Sequence, residues 1–222
     1  MHKAIIFDFD GVIADSEILA NSVLAEQITA LGFPVTVEQV LHRYQGTRST
    51  DFAAAIKEGT GNEMPPVFKQ EWEQATLARL EADLEEVNGA REFIRKWVSI
   101  PHCIASSSSP RRLSVSLEKL GLTEDFGANV FSADSVSRSK PFPDIFLLAA
   151  EKLGVAPTNC VVIEDSANGV RAGIAAGMTT IGLCAAGHIR EGHEAKLKDA
   201  GAQYTANDWS EVDRLMPRLF EA

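Results

Sequence analysis

The stretch Ala4-Ile5-Ile6-Phe7-Asp8-Phe9-Asp10-Gly11 decides how the chain is read. Four apolar residues stop abruptly at an aspartate, and the same pattern returns at 102–105 before Ser106 and at 161–163 before Glu164. Short apolar runs with polar ends, separated by longer helix-like segments, mark strands buried on both faces and joined by helical crossovers. Further strands are expected at 129–132, 180–184 and, more weakly patterned, 202–205. Helices are expected at 111–120, 144–153 and 167–176, with Gly121, Gly154 and Gly177 as their stops. The expected fold class is α/β, a parallel sheet layered between helices.

Residues 15–86 break this rhythm. Ile18, Val23, Leu24, Ile28 and Leu31, and then Phe68, Trp72, Leu77, Leu80 and Leu84, follow a helical period, and no strand pattern intervenes. The segment reads as a helical insertion into a core made of residues 1–14 and 87–222. It holds 13 acidic and 5 basic residues, so it carries most of the formal charge of −10.

A chain of 222 residues, 45% hydrophobic and 23% charged, has the composition of a soluble globular protein with a sizeable core. With a pI near 5.0 its field repels phosphate backbones, so nucleic acid is not an expected partner. Cys103, Cys160 and Cys184 each sit in or beside an apolar run, which reads as buried, reduced thiols in a reducing compartment. The run at 4–7 is too short for an export signal, and no apolar run reaches the roughly 18 residues that span a bilayer. The expectation is a cytoplasmic protein without a membrane partner, either a monomer or a weak homodimer.

In open α/β sheets ligands bind beyond the carboxyl ends of the strands, where strand order reverses. That rule selects Asp8-Phe9-Asp10-Gly11, the serine run 106–109 and Glu164-Asp165-Ser166, to which Lys140 in a proline-bounded loop is added. Asp8 and Asp10, two apart, are expected on one side of the chain, with Gly11 allowing a sharp turn. By itself this Asp-x-Asp is equally a strand-ending turn. Carboxylates gathered at one sheet edge repel unless a cation sits among them, and Mg²⁺, which takes about six oxygens, suits Asp8, a main-chain carbonyl near Asp10, and Asp165. In isolation Asp165 or Ser166 could equally be the N-cap of the next helix. Ser109 ahead of Pro110 reads as a helix start whose free amides and hydroxyls can hold an anion.

Together Asp8-Phe9-Asp10-Gly11-Val12, Ser106, Lys140-Pro141 and Glu164-Asp165-Ser166 resemble, in order and spacing, the four signature motifs of the haloacid dehalogenase superfamily of phosphohydrolases. The flanking 139–144 and 165–169 resemble the subgroup that contains β-phosphoglucomutase, phosphoglycolate phosphatase and sugar-phosphate phosphatases. The resemblance implies a Rossmann-like, three-layer core with an inserted α-helical cap at 15–86. It implies Mg²⁺-dependent phosphoryl transfer from a small phosphorylated metabolite, with Asp8 as nucleophile and Asp10 as general acid and base. Ser106 and Lys140 would hold the phosphoryl oxygens, and the metal would be bound by Asp8, Asp10, Asp165 and Glu164, the last directly or through its neighbours. Gly11, Ser107, Glu17 and Arg48 are the further candidates for phosphate and substrate contacts.

Within that superfamily a carboxylate two residues after the nucleophile favours phosphate esters over haloacids and phosphonates. β-Phosphoglucomutases typically carry a histidine ten residues beyond the general acid, where this chain has Ala20, so a phosphatase is expected ahead of a phosphosugar mutase. A binding protein without catalysis is the remaining alternative. Arg43 and Arg48 are rare cations in the acidic insertion. His188 and His193, five apart, miss the spacing of a helical metal pair and are expected at the surface. Gly169, Gly173 and Gly177 are expected to line one helix face packed on the sheet, and Trp72, Trp97 and Trp209 to pack cores.

Overall fold

The computed structural model describes residues 3–44 (backbone alone at 42–44), 57, 58, 61 and 65–220. Backbone proximity divides the chain into two compact units, Met1–Asp15 with Glu85–Ala222, and Ser16–Leu84.

The first unit is built on strands β1 (Ala4–Phe7), β2 (His102–Ser106), β3 (Val130–Ser132), β4 (Cys160–Glu164), β5 (Thr179–Leu183) and β6 (Tyr204–Ala206). Every pairing is parallel, in the order β3-β2-β1-β4-β5-β6. The chain therefore winds outward from β1 to one side and then returns to place β4 on the other, which puts the topological switch point between β1 and β4. Phe7 is paired with Ile163. Asp8 and Glu164 consequently leave the sheet on the same rung, and the Asp8 amide donates to the Ile163 carbonyl at 2.9 Å.

The strands read as continuous apolar runs because both faces are covered. Ala4, Ile6, Cys103, Ala105, Cys160 and Val162 face the helices Asp144–Leu153 and Ala167–Ala175, packing on Ile145, Phe146, Ala149 and Ala172. One residue out of phase, Phe7 points to the opposite layer, as the period of two requires. Its ring meets Phe93, Phe126 and Trp209 at centroid distances of 6.2, 5.9 and 6.0 Å. These rings come from the helices Ala90–Lys96, Thr123–Phe126 and Trp209–Phe220. Burying aromatic rings of this size contributes about 1.5–3 kcal/mol each. Trp97 lies tilted against Phe93 and donates its indole N–H to Asp213 at 2.8 Å.

Element boundaries differ from the expected ones by a residue or two. The helix after β4 stops at Ala175, and Gly177 lies in the turn beyond it rather than on the packed face. Gly169 and Gly173 do line that face, since a Cβ on Gly173 would stand 2.5 Å from Thr180 Oγ1.

The second unit, whose described part is all helical, contains Glu17–Ala30, Val37–Tyr44 and Phe68–Asp83. Leu24, Ala25, Ile28, Val40 and Phe68 form its core, with Phe33 and Trp72 packed against them. Thr36 and Gln39 make a reciprocal cap, each backbone amide donating to the other's side chain at 2.8 and 3.2 Å. Glu17 sits half-buried in the first turn of its helix, where its carbonyl accepts from Asn21 Nδ2 at 2.7 Å. Arg48 lies outside the described residues, as does the side chain of Arg43. Among the described residues no helix is long and apolar enough to cross a membrane.

All three cysteines are free, with Cys103 and Cys160 buried and Cys184 half-buried. Burial pushes the Cys160 and Cys184 thiols up to about 11 and the Cys103 thiol higher still. At pH 8 a thiol at that value is ionised about once in a thousand molecules. The native protein should therefore react slowly with a disulfide reagent such as DTNB and show three thiols promptly after denaturation. Fast stoichiometric labelling of the native state would contradict this burial.

Candidate active site

The carboxyl ends of β1, β2 and β4 bring three of the polar clusters together, and Lys140 reaches them from the loop before Asp144–Leu153. Its ammonium donates to Asp8 Oδ1 at 2.8 Å, Glu164 Oε1 at 2.7 Å and the Ala105 carbonyl at 3.0 Å. The ammonium also stands 4.8 Å over the Phe146 ring, and the side chain is 5% exposed. Burial alone would lower the lysine's affinity for its proton, but Asp8 and Glu164 outweigh that and raise it, so Lys140 is cationic.

Asp8, Glu164 and Asp165 are all buried and can each offer an oxygen within 4.8 Å of the others. Two of these three carboxylates, Asp8 and Glu164, share one lysine. Burial first, and then repulsion from Glu164 and Asp165, hold the Asp8 carboxyl well above the usual carboxylate range in spite of Lys140. Such a cluster of hard oxygens with an excess of negative charge fits a divalent cation.

Glu164 is the most committed of the three. Lys140 takes Oε1, while Oε2 accepts from both the amide and the hydroxyl of Ser166 at 2.9 Å. Ser166 also caps the following helix, accepting from the Gly169 amide at 3.0 Å, so the capping and site readings hold together. A Cβ on Gly169 would overlap the Glu164 carboxylate, which is why that carboxylate can lie flat on the helix start.

The turn after Asp8 folds tightly, with the Phe9 carbonyl accepting from Ile13 and Ala14 at 2.9 Å each. Gly11 adopts φ 78°, and a Cβ there would strike the Asp165 carboxylate. The glycine is thus required both for the turn and for the close approach of Asp165.

Asp10 takes partners of its own. Arg112 Nη2 donates to Oδ1 at 2.6 Å and the Ser108 hydroxyl to Oδ2 at 2.5 Å. Among the described residues the side chains grouped closely enough to hold a cation are Asp8, Glu164 and Asp165; the Asp10 side chain, also expected at the metal, is not in that group. Ser106 is 1% exposed, and its hydroxyl accepts from the Ser108 amide at 3.0 Å. Ser107 is exposed beside it. Ser109 caps the helix Pro110–Leu120 by accepting from the Arg112 amide at 3.3 Å, which sets Arg112 in the first turn.

The expected surface placement of His188 is overturned. His188 is 4% exposed, and its Nε2 lies 3.1 Å from Asp165 Oδ2. His193 is half-buried, and its Nε2–H donates to the Asp165 carbonyl at 2.6 Å. Burial holds the His193 ring below the usual imidazole range, so it is the neutral tautomer that makes this bond. The spacing test failed because it assumed one helix, whereas His188 lies in the loop after β5 and His193 opens the helix His193–Asp199. Arg112 and both histidines were missed as site residues, and Ser108 was named only as part of the serine run 106–109. The rule that ligands gather beyond strand ends applied equally to the loop after β5, and the first turn of the helix after β2 pointed to Arg112.

A switch-point centre of buried carboxylates bridged by a lysine, beside a serine-rich helix start, is the arrangement of an α/β enzyme site that can take a divalent cation and an anionic substrate. A family model described as haloacid dehalogenase-like hydrolase matches residues 2–177, and the chain belongs to that family. It is 27% identical over 84% of its length to 6-phosphogluconate phosphatase from Escherichia coli, covering 84% of that protein. It is 31% identical over 81% of its length to fructose-1-phosphate phosphatase from the same organism, covering 95% of it. In three dimensions it resembles a haloacid dehalogenase family hydrolase from Deinococcus radiodurans, solved with bound phosphate and sodium, with a TM-score of 0.84 and 31% identity over 98% of this chain and 96% of that one. The resemblance read from the four motifs therefore holds.

Proposed function

We propose that the protein is a Mg²⁺-dependent phosphatase that hydrolyses a small phosphorylated metabolite, a sugar phosphate or related phosphomonoester. The observation that carries this reading is Lys140, whose buried ammonium bridges Asp8 and Glu164 next to Asp165 at the switch point. The phosphatases of 6-phosphogluconate and fructose 1-phosphate among its relatives support the substrate class.

In this reading a carboxylate oxygen of Asp8 attacks phosphorus, forming an aspartyl phosphate as the bond to the alcohol oxygen breaks. Asp10 gives that oxygen its proton. Asp10 then takes a proton from water, the water oxygen attacks phosphorus, and phosphate leaves with Asp8 restored. Proton transfer uses the Asp10 oxygen that faces Ser108. A hydroxyl can turn to accept from a carboxylic acid, whereas the guanidinium of Arg112 can only donate. Lys140 favours the ionised form of Asp8 against its burial and the neighbouring carboxylates, and together with the Ser106 hydroxyl it holds phosphoryl oxygens as charge builds on them. Glu164 acts through Lys140 and Ser166, which it holds in place. Asp8, Asp165 and the Asp10 carbonyl would hold the Mg²⁺, which when bound supplies positive charge to the phosphoryl oxygens. The helical unit Ser16–Leu84 is assigned the part of a cap that selects substrate, with Glu17 and Arg48 as its candidate contacts.

The test is phosphate release from a panel of sugar phosphates, phosphoglycolate and nucleotides, with Mg²⁺ and with chelator. Metal-dependent release concentrated on a few sugar phosphates is expected. Conversion of β-glucose 1-phosphate to glucose 6-phosphate faster than phosphate release would replace the phosphatase with a mutase.

A further inference from the structure

Two histidines from the segment after β5, one in the loop and one at the start of the helix His193–Asp199, converge on Asp165, and neither belongs to the four motifs. His188 approaches the carboxylate from a side chain only 1% exposed, and His193 binds the main-chain carbonyl of the same residue. The two rings stand edge to face, with centroids 5.9 Å apart and planes at 87°. The same loop also grips the segment after β1, where the Gly187 amide donates to both carboxylate oxygens of Asp15 at 3.1 Å. A Cβ on Gly11 would stand 2.9 Å from His188 Cε1 as well as strike Asp165. The loop is therefore packed against both chain segments that supply the acidic cluster.

An imidazole at this depth is costly unless its polar atoms are used, and an apolar side chain of similar size would fill the space at lower cost. What the imidazole adds is a polar ring nitrogen, Nε2, 3.1 Å from Asp165 Oδ2, close enough to restrict where that carboxylate can lie. Groups that hold a metal-ligating carboxylate in place typically change metal affinity or activity by about 10–100-fold when removed.

We propose that His188, assisted by His193, is a positioning residue that holds the Asp165 carboxylate in the orientation needed to bind the divalent cation. This rests on the reading of Asp165 as a cation ligand. His193 fixes the backbone of Asp165 while His188 fixes its side chain, so the residue is held at both ends.

The test measures Mg²⁺ binding by titration calorimetry, in the absence of substrate, for wild type, His188→Met, His188→Gln and Asp165→Asn. The flexible methionine fills the space without a polar nitrogen, whereas glutamine restores one. His188→Met should bind Mg²⁺ about 10–100-fold more weakly, His188→Gln within a few-fold of wild type, and Asp165→Asn barely at all. In turnover assays the Mg²⁺ concentration for half-maximal rate should rise in His188→Met, while the rate at saturating Mg²⁺ stays within a few-fold. Equal affinity in His188→Met and wild type, with Asp165→Asn still defective, would overturn the positioning role. Equal weakening in His188→Met and His188→Gln would overturn it too, since a polar group facing Asp165 would then not matter; where the methionine variant fails to fold, Mg²⁺ binding by His188→Gln as weak as that of Asp165→Asn would overturn it. Wild-type affinity in Asp165→Asn would instead overturn the ligand reading beneath it.

Discussion

Asp8→Asn should lose turnover by on the order of 10⁴-fold or more while melting at the same temperature as wild type or higher in metal-free buffer. The two halves of this result come from the same geometry. Asp8 is buried beside Glu164 and Asp165, and its carboxyl is held well above the usual range by burial first and by those carboxylates second. An acid whose folded value lies above its unfolded one is stabilising only where it is protonated. As pH rises from the unfolded value of about 3.9 through the folded value, that stability is lost. At neutral pH placing Asp8 in this site therefore costs stability, since the unfolded chain ionises it more easily. Asparagine removes the charge yet keeps an oxygen that can accept from Lys140, now 2.8 Å from Asp8 Oδ1. What it cannot do is attack phosphorus. Calorimetric melts with chelator, alongside phosphate release with Mg²⁺, check both halves. Near-normal turnover in pure Asp8→Asn would sink the nucleophile, and a large drop in melting temperature would mean that the charge of Asp8 supports the fold.

The fold was legible where local pattern and global layering agree. Runs such as 4–7 and 161–163 are apolar at every position because helices cover both faces, and the polar residues that end them mark the ligand edge. The site was legible for residues that end strands, Asp8, Ser106, Glu164 and Asp165, because a strand end has a fixed place in the sheet. Arg112 and His188 follow no such rule. Arg112 meets Asp10 across 102 positions of sequence, and His188 reaches Asp165 from a loop without periodicity. Their partners are brought within reach only after the sheet has formed, and spacing along the chain carries no trace of that proximity. Asp10 shows the converse limit. Its period-two relation to Asp8 spoke only of one side of the chain and not of partners, and its carboxylate takes Arg112 and Ser108 while that of Asp8 takes Lys140.

Lys140→Met should be the most destabilising single change at this centre, and its defect should depend on pH. In wild type the ammonium is the cation shared by Asp8 and Glu164, with 5% of its side chain exposed. Removing one partner of a buried pair leaves an uncompensated charge and costs about 3–5 kcal/mol. Lysine with its proton held more tightly in the fold contributes that stability throughout the neutral range, since it is lost only as pH rises past the lysine's own raised value. In the variant the Asp8 carboxyl, already raised, rises further without its cation. Protonation then becomes the cheaper way to relieve the site, and the deficit relative to wild type should shrink as pH falls from 8 toward 5. Melts across that range in chelator measure this directly, and a deficit independent of pH would show that methionine merely packs badly. Phosphate release should fall by on the order of 10²–10³-fold, the usual consequence of losing one preorganised electrostatic contact to developing charge. Lys140→Arg should restore little of it. A planar guanidinium cannot stand as a point charge 4.8 Å over the Phe146 ring while donating to Asp8, Glu164 and the Ala105 carbonyl at once. Recovery of both rate and stability by arginine would mean that the site needs a positive charge there without needing the geometry of lysine.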